Sequence, residues 1–246
     1  MSTRSKKPDT KADIQVTSCL RETPPRSFTM VAGAGSGKTT SLIKGISSCI
    51  NIHGEKLRKQ RKRIACITYT EIAAKEIWMD VDNNPLVHIS TIHSFLWLLV
   101  KPFQSDIRSW VNIRISQMED EIRDRQCNYS KRISPQTRIK DTLDLQKLHQ
   151  DKIASSSIKN FRYGTGRDYA RGVLGHDDIL KLGVYLIKER QLFRILISKQ
   201  FPFIFIDESQ DTAPDVIEAL KAIQEEPGAT ICLGFFGDPM QKIYPG

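Results

Sequence analysis

The chain has 246 residues, which is enough to bury a core and to form one domain, or one domain with an insertion. Its composition, 39% hydrophobic and 26% charged, is typical of a soluble globular protein, and its apolar runs are too short to span a membrane. The formal net charge of +9 favours a polyanionic partner, while five cysteines without a C-x-x-C pair indicate reduced thiols in a cytoplasmic protein.

The elements predicted along the chain alternate between buried strands and helices. Residues 1–26 are expected to form a flexible basic tail and lead-in, because the first 13 residues are polar and lack the apolar segment of a secretory signal. Strands that are apolar on both faces predict an α/β fold, a parallel sheet with helices on both faces. The predicted strands are 27–32, 63–69, 87–90, 203–206 and 230–236, and the predicted helices are 37–50, 71–81, 92–100 and 215–224.

Residues 101–196 break this alternation. They are helical in pattern, carry nineteen basic against twelve acidic residues, and include one predicted hairpin around residues 161–172. We therefore expect a mainly helical insertion that separates a first part of the α/β domain, residues 27–100, from a second part, residues 197–246.

The densest basic run lies at residues 56–63, where six of eight residues are Lys or Arg. It is either a solvated loop or a contact for a phosphate backbone, and the sequence leaves both interpretations open.

A glycine-rich motif follows the first predicted strand and opens the first predicted helix of the sheet. Residues 32–39 read A-G-A-G-S-G-K-T, the pattern of a phosphate-binding loop. Backbone N–H groups of such a loop turn toward phosphates, Lys38 would reach the β- and γ-phosphates, and the Thr39 hydroxyl would bind Mg²⁺. A simple glycine-rich turn is the alternative. The predicted nucleotide-binding residues are Ala32, Gly33, Ala34, Gly35, Ser36, Gly37, Lys38, Thr39 and Thr40.

A second motif, I-F-I-D-E-S-Q-D-T at residues 204–212, places two carboxylates directly after an apolar strand. Ligands of open α/β sheets bind at the carboxyl ends of the strands. Asp207 therefore suits a Mg²⁺ shell, and Glu208 suits orienting and deprotonating an attacking water. Caps of the next helix are the alternative role for such carboxylates.

These motifs, with three others in the same order, resemble those of UvrD/Rep superfamily 1 helicases. D-E-S-Q-D-T at 207–212 is similar to the family's D-E-x-Q-D-T box, and A-G-A-G-S-G-K-T-T at 32–40 to its phosphate loop. The others are I-T-Y-T-E-I-A-A at 67–74, S-T-I-H-S-F at 90–95 and G-D-P-M-Q-K-I-Y at 237–244.

The resemblance implies a P-loop NTPase of the RecA-like fold that hydrolyses ATP with Mg²⁺ and moves 3′→5′ on single-stranded DNA or a single/double-strand junction. It implies that Gln241 contacts the γ-phosphate, that Asp211 and Asp238 couple the nucleotide to DNA, and that residues 101–196 are the family's helical insertion. Tyr69 would stack a base. The DNA-lining residues carried over from the family are Thr68, Tyr69, Thr70, Thr91 and His93.

Two departures from the family's pattern bear on function. The family's upstream glutamine that reads adenine has no clear match, although Gln15 lies 23 residues before Lys38. The family's second RecA-like domain, whose arginines complete the ATP site, is expected in cis or from another chain, so these 246 residues alone should hydrolyse ATP weakly.

Two other functions compete with a helicase motor. One is an ATP-gated module that binds DNA or protein without productive unwinding, for example a subunit of a defence system. The other is a GTPase, which the absence of an N-K-x-D guanine box disfavours.

Overall fold

A computed structural model describes residues 8–33, 37–130 and 133–238 of the chain. Its α-helices are α1 (Lys11–Arg21), α2 (Lys38–Lys59), α3 (Glu71–Asp80), α4 (Ile92–Val100), α5 (Gln104–Cys127), α6 (Pro135–Ser155), α7 (His176–Glu189), α8 (Gln191–Gln200) and α9 (Pro214–Gln224). Its strands are β1 (Phe28–Val31), β2 (Ile64–Thr68), β3 (Val87–Thr91), β4 (Arg162–Tyr163), β5 (Val173–Leu174), β6 (Phe203–Ile206) and β7 (Cys232–Gly237). None of the helices within these ranges combines the length and the apolar character needed to cross a membrane.

The described residues form two compact units, one within residues 1–95 and 184–246 and the other within residues 96–183. The first unit contains a five-stranded sheet in the order β1-β7-β6-β2-β3, and every neighbouring pair of strands is parallel. This confirms the predicted α/β fold with a parallel sheet.

The central strands are buried on both faces, which explains their unbroken apolar sequences. Every residue of β2 and β6 is buried. Ile64 and Cys66 of β2 pack into a core with α1, α2 and α3, and the alternation along a strand sends Ala65 and Ile67 to the opposite face. Connections between parallel strands are right-handed as a rule, so the direction in which a connection crosses the sheet decides which face its helix covers. The connections through α2 (β1 to β2) and α3 (β2 to β3) run toward β3, whereas the connection through α9 (β6 to β7) runs toward β1. This rule places α2 and α3 on the first face and α9 on the second.

The structure corrects the predicted flexible lead-in, because α1 is a capped helix within it. The Thr10 hydroxyl accepts a hydrogen bond from the Asp13 backbone N–H, and the Asp13 carboxylate accepts one from the Thr10 N–H, which is a capping box. Val16 and Leu20 then enter the same core as α2. The polar composition of the first 13 residues predicted a tail, but it revealed neither the capping box nor the apolar residues Val16, Cys19 and Leu20 that follow at helical spacing.

The basic run at residues 56–63 is not a loop throughout, because its first half is the last turn of α2. Basic side chains are favourable there, since the last turn of a helix carries the negative end of its dipole. The helix ends where Arg61 adopts a left-handed backbone with φ 54°, and the Lys62 N–H then binds the Leu57 carbonyl at 2.9 Å. This is the Schellman arrangement, here with arginine where glycine is usual.

The second unit contains α5 and α6, and its small sheet is not the predicted hairpin. Strands β4 and β5 run parallel, with Arg162 opposite Val173 and Tyr163 opposite Leu174. The chain between them turns fully round through a 3-10 turn at Tyr169–Arg171 and through Gly172, whose φ is +68°. Tyr169 anchors that turn, because its buried hydroxyl donates to Asp178 at 2.7 Å. Glycines around residues 161–172 therefore mark a wide loop rather than a tight turn.

The packing of helix α1 against α2 should depend on a buried ion pair between Asp13 and Lys44. Lys44 Nζ lies 2.9 Å from Asp13 Oδ2, and both side chains are less than a tenth exposed. We expect Lys44→Met to lower the free energy of unfolding by about 3–5 kcal/mol, since it leaves the Asp13 carboxylate without its cation. Adding Asp13→Asn should restore part of the loss, because a neutral amide costs less to bury. Urea unfolding followed by circular dichroism measures both, and a change within about 0.5 kcal/mol for Lys44→Met would contradict this account.

Candidate functional site

The phosphate-loop motif connects β1 to α2, as predicted. Its backbone is held to the sheet by the Ala32 N–H, which donates to the Gly237 carbonyl of the neighbouring strand at 3.1 Å. Gly37, at the start of α2, has a φ of +89°, a conformation that suits glycine. The next residue, Lys38, is buried at 8% exposure. Ala34, Gly35 and Ser36 lie outside the described residues, as does Gln241.

The two predicted carboxylates follow β6 at the carboxyl edge of the sheet. The Asp207 N–H continues the ladder by donating to the Ile67 carbonyl of β2 at 2.8 Å, and the Asp207 side chain is buried. Glu208 then adopts a left-handed backbone, with φ 46° and ψ 50°. Such a conformation is costly for a residue with a side chain, and it turns the chain sharply into the 3-10 turn Ser209–Asp211.

The two motifs meet through a direct ion pair. Lys38 Nζ lies 2.8 Å from Glu208 Oε2, although the residues are 170 positions apart. Gln210 binds the same carboxylate oxygen, since its Nε2 donates to Glu208 Oε2 at 2.7 Å. The Gln210 Oε1 accepts a hydrogen bond from the Asp238 N–H at 3.0 Å, so one amide connects Glu208 to the end of β7.

Gly237 permits this close approach. A Cβ at that position would collide with Ser209 Oγ and would lie 2.9 Å from Gln210 Oε1. Gln210 stands inside the D-E-S-Q-D-T motif, but its contacts with Glu208 and Asp238 were not predicted from the sequence.

The pKa values of the three carboxyl groups at this site are shifted in different directions by their surroundings. Burial, and then the nearby charge of Glu208, raise the pKa of Asp207 to about 6. Burial also acts to raise the pKa of Glu208, but hydrogen bonds from Gln210 and Lys38 outweigh it and lower that pKa below its ordinary value. Burial and the Glu208 charge raise the pKa of Asp211. Negative charge is therefore concentrated here beyond what Lys38 neutralises.

A cavity of about 440 Å³ opens at this point and joins residues from three predicted motifs. Thr39, Asp207 and Glu208 line it, and Thr68, Tyr69 and Thr70 line it as well. Sequence reasoning did not anticipate the contribution of α3. The remaining lining residues are Ala73, Glu76, Ile77, Gln210 and Asp211.

The oxygen atoms in this cavity fit a hydrated Mg²⁺ ion. Thr68 Oγ1 and Asp211 Oδ1 are buried and have no hydrogen-bond partner within the described part of the chain. Together with the Thr39 hydroxyl and the Asp207 carboxylate, they are the hard oxygen ligands that Mg²⁺ and its bound waters take. Over the described ranges, no cluster of three or more His, Cys, Asp or Glu could hold a metal without other ligands. A Mg²⁺ ion that is held partly by phosphates does not require one.

The residues assigned to DNA fall in different surroundings. Thr68 is buried, Tyr69 is 50% exposed, and Thr70 caps α3 by accepting a hydrogen bond from the Ala73 N–H at 3.1 Å. Thr91 pairs with Thr68 in the sheet, and its hydroxyl donates to Glu71 at 3.2 Å. Thr91 and His93 do not line the cavity. Among these residues, Tyr69 presents the largest exposed aromatic surface beside the carboxylates.

Two other predicted residues, Asp238 and Gln15, do not line this cavity. Asp238 is buried at the end of β7, where its N–H meets Gln210. Gln15 is exposed on α1 and lines a separate cavity of about 450 Å³, together with Val31 at the end of β1. The position of Gln15 therefore leaves it beside the strand that leads into the phosphate loop.

Comparison with known proteins identifies the family. Residues 20–245 match the model of the UvrD/REP helicase N-terminal domain. The chain is 26% identical to Gabija protein GajB of Bacillus cereus (strain HuB5-5), over 87% of this chain and 40% of that protein. It is 25% identical to ATP-dependent DNA helicase Rep of Buchnera aphidicola subsp. Acyrthosiphon pisum, over 87% of this chain and 36% of that protein.

A third relative is ATP-dependent DNA helicase Rep of Buchnera aphidicola subsp. Baizongia pistaciae, which is 30% identical over 87% of this chain and 34% of that protein. The chain thus spans two fifths or less of the length of these relatives. The family implies that ATP is bound. The chain belongs to the UvrD/REP helicase family and carries the N-terminal domain of that family.

Proposed function

We propose that this chain is the ATP-binding and ATP-hydrolysing part of a DNA helicase or translocase that moves 3′→5′ on single-stranded DNA. The observation that supports it most strongly is that Thr39, Asp207 and Glu208 line one cavity with Tyr69, while Lys38 is bonded to Glu208 at the same place. Residues 27–100 and 197–246 would form the RecA-like domain, and residues 101–196 its helical insertion.

In this proposal Lys38, Thr39, Asp207 and Glu208 each have a separate task. Lys38 exchanges its bond with Glu208 for one with the β- and γ-phosphates, to which a lysine is suited as a point charge. Thr39 and Asp207 hold Mg²⁺, which neutralises phosphate charge when it is bound. Glu208, released from Lys38 but still held by Gln210, orients a water and accepts its proton.

The link to DNA would run through the same segments. Tyr69 offers a stacking surface that every base can use, which suits movement without sequence preference. Gln210 connects Glu208 to the segment after β7, where Asp238 lies and where we propose that Gln241 reports the γ-phosphate. Asp211, whose Oδ2 accepts a weak hydrogen bond from Gln210 at 3.3 Å, would belong to the same connection.

One observation favours a second candidate function, an ATP-gated binding module without productive unwinding. Among the described residues that line the cavity there is no arginine. An arginine that neutralises the transferring phosphate is typically worth about 10³–10⁵ in rate. We propose that a second RecA-like domain, in cis or from another chain, supplies it. Without that partner the chain would bind ATP and change shape but would not step along DNA.

The role of Lys38 can be tested by nucleotide affinity. Lys38→Ala should abolish the binding of Mg-ATP, because it removes the charge that faces the β- and γ-phosphates. Isothermal titration calorimetry measures the affinity, with Lys221→Ala on the exposed face of α9 as a control for loss of one lysine elsewhere. Equal affinities in the wild type and Lys38→Ala would show that the nucleotide is bound by other residues.

The role of Glu208 can be tested by turnover. The 246-residue chain should hydrolyse ATP slowly, and Glu208→Gln should retain Mg-ATP binding yet lose that hydrolysis, because an amide cannot accept the proton of water. Phosphate release is measured with and without oligothymidine, and Glu225→Gln on the exposed end of α9 is the control. Hydrolysis that survives in Glu208→Gln at the wild-type rate would contradict the assignment.

The role of Tyr69 can be tested by DNA affinity at several salt concentrations. Tyr69→Ala should weaken the binding of a fluorescent oligothymidine by about 1–3 kcal/mol, while the dependence on salt stays unchanged, since no phosphate contact is lost. Tyr69→Phe keeps the ring and should bind like the wild type. If Tyr69→Ala also binds like the wild type, the single-strand path lies elsewhere.

A further inference from the structure

The opposite edge of the sheet carries a cluster of lysines around a second cavity. This cavity has a volume of about 280 Å³, and it lies where β2, β6 and β7 begin. Lys56 and Lys62, from the end of α2 and the turn after it, and Lys199, from the last turn of α8, line it together. We call these three residues the lysine triad.

The triad has no carboxylate to neutralise it. Among the described residues, none of the three ammonium groups lies in an ion pair. Glu22 is the one carboxylate that lines the cavity in the described ranges, and it is bonded to Arg26 at 3.0 Å. Burial, and then the charges of Lys199 and Lys56, lower the pKa of Lys62. Folding therefore brings three like charges together without a visible compensation.

The chain segment that carries Lys56 and Lys62 contains further positive charges. Arg58, Arg61 and Arg63 lie in the same run as Lys56 and Lys62, all three are exposed, and no carboxylate in the described ranges pairs with them. By contrast, Lys59 of this run is bonded to Glu55 at 2.6 Å. None of the three arginines lines the cavity, but they add positive charge along the same run of the chain, which raises the local concentration of polyanions.

We infer that the lysine triad binds backbone phosphates of DNA and forms a second DNA contact at the amino edge of the sheet. Because the four residues of β6 separate the two edges by about 13 Å, this contact is distinct from the nucleotide cavity and from Tyr69. The inference extends the proposed function, since it assumes that the chain acts on DNA.

The chemistry of the lining favours phosphates over an acidic protein surface. Protein interfaces depend on aromatic and apolar anchors. Here Leu57, Phe203 and Cys232 are less than 5% exposed, and His53, Pro25 and Pro202 are only partly exposed, so the lining has no fully exposed apolar side chain. What it presents is ammonium groups with the side chains of Gln60, Ser198 and Thr230, which can hold a phosphodiester without reading its bases.

The test compares two triple variants. Lys56→Ala/Lys62→Ala/Lys199→Ala removes the triad, and Lys11→Ala/Lys188→Ala/Lys221→Ala removes the same charge elsewhere on the same unit. Binding to a 20-base-pair duplex and to oligothymidine is measured by fluorescence anisotropy over a range of salt. We expect the triad variant, but not the control, to lower the slope of log affinity against log salt for the duplex by up to about 2.7, or about 0.9 for each contact.

A second measurement does not depend on any variant. Amine-reactive labelling of the wild type, read by mass spectrometry, should show that DNA protects Lys56, Lys62 and Lys199 and leaves Lys11, Lys188 and Lys221 unchanged. Protection by polyglutamate but not by DNA would overturn the inference in favour of an acidic protein partner.

The two proposals fail in different ways. If the triad and control variants share one salt slope while Tyr69→Ala weakens oligothymidine binding, the second contact is absent and the proposed function stands. If the triad variant alone loses affinity and Tyr69→Ala does not, the contact exists and the proposed single-strand path is wrong. If the wild type binds no DNA even at low salt, both proposals fall.

Discussion

The ion pair between Lys38 and Glu208 is the interaction on which the rest of the candidate site depends. It joins the start of α2 to the end of β6, and it forms only because β7 lies between β1 and β6 in the sheet. That arrangement needs Gly234 at the centre of β7, where a Cβ would stand 2.6 Å from Phe205 and 2.7 Å from Phe28. Gly234 thus lets the rings of its two neighbours in the sheet, Phe28 of β1 and Phe205 of β6, meet over β7 with their centroids 6.1 Å apart.

The site is organised at a cost to the chain that holds it. Asp207 is buried with a raised pKa, and Glu208 has a left-handed backbone that few residues with side chains adopt. The burial of the Asp207 carboxyl and the left-handed backbone of Glu208 both cost free energy, which the packing of the surrounding core must offset. All residues of β2 and β6 are buried, and that packing holds the carboxylates in place. Functional sites are where a protein is expected to depart from local preference in this way.

The sequence predicts the sheet well because its strands are short apolar runs buried on both faces. The runs at 203–206 and 92–100 match β6 and α4 residue for residue. The predicted helix 37–50 ends too early, because its apolar spacing was followed only as far as Ile50, whereas α2 continues to Lys59 and still places Leu57 in the core. The helix α1 was missed for a different reason, since its capping box begins in a segment that composition alone describes as a tail.

The sequence predicts those residues of the candidate site whose position follows from the strand directly before them. A strand followed by D-E places both carboxylates at the right edge, and a strand followed by G-x-G-K-T places Lys38 there too. What the sequence could not reveal is which groups meet across the sheet. The contact of Gln210 with both Glu208 and Asp238, and the unpaired triad opposite, join residues from separate parts of the chain. Only the order of the strands brings such residues together.

The position of Gln210 has a consequence for how the two ends of the site can communicate. Its side-chain amide donates through Nε2 to Glu208 and accepts through Oε1 from the Asp238 N–H, so both the donor and the acceptor group are used. A carboxylate could only accept and a lysine could only donate, and neither could serve both neighbours. The connection is therefore polar but electrically neutral. It can pass a displacement of the chain after β7 to Glu208 without moving a charge through a cavity where charge is already crowded.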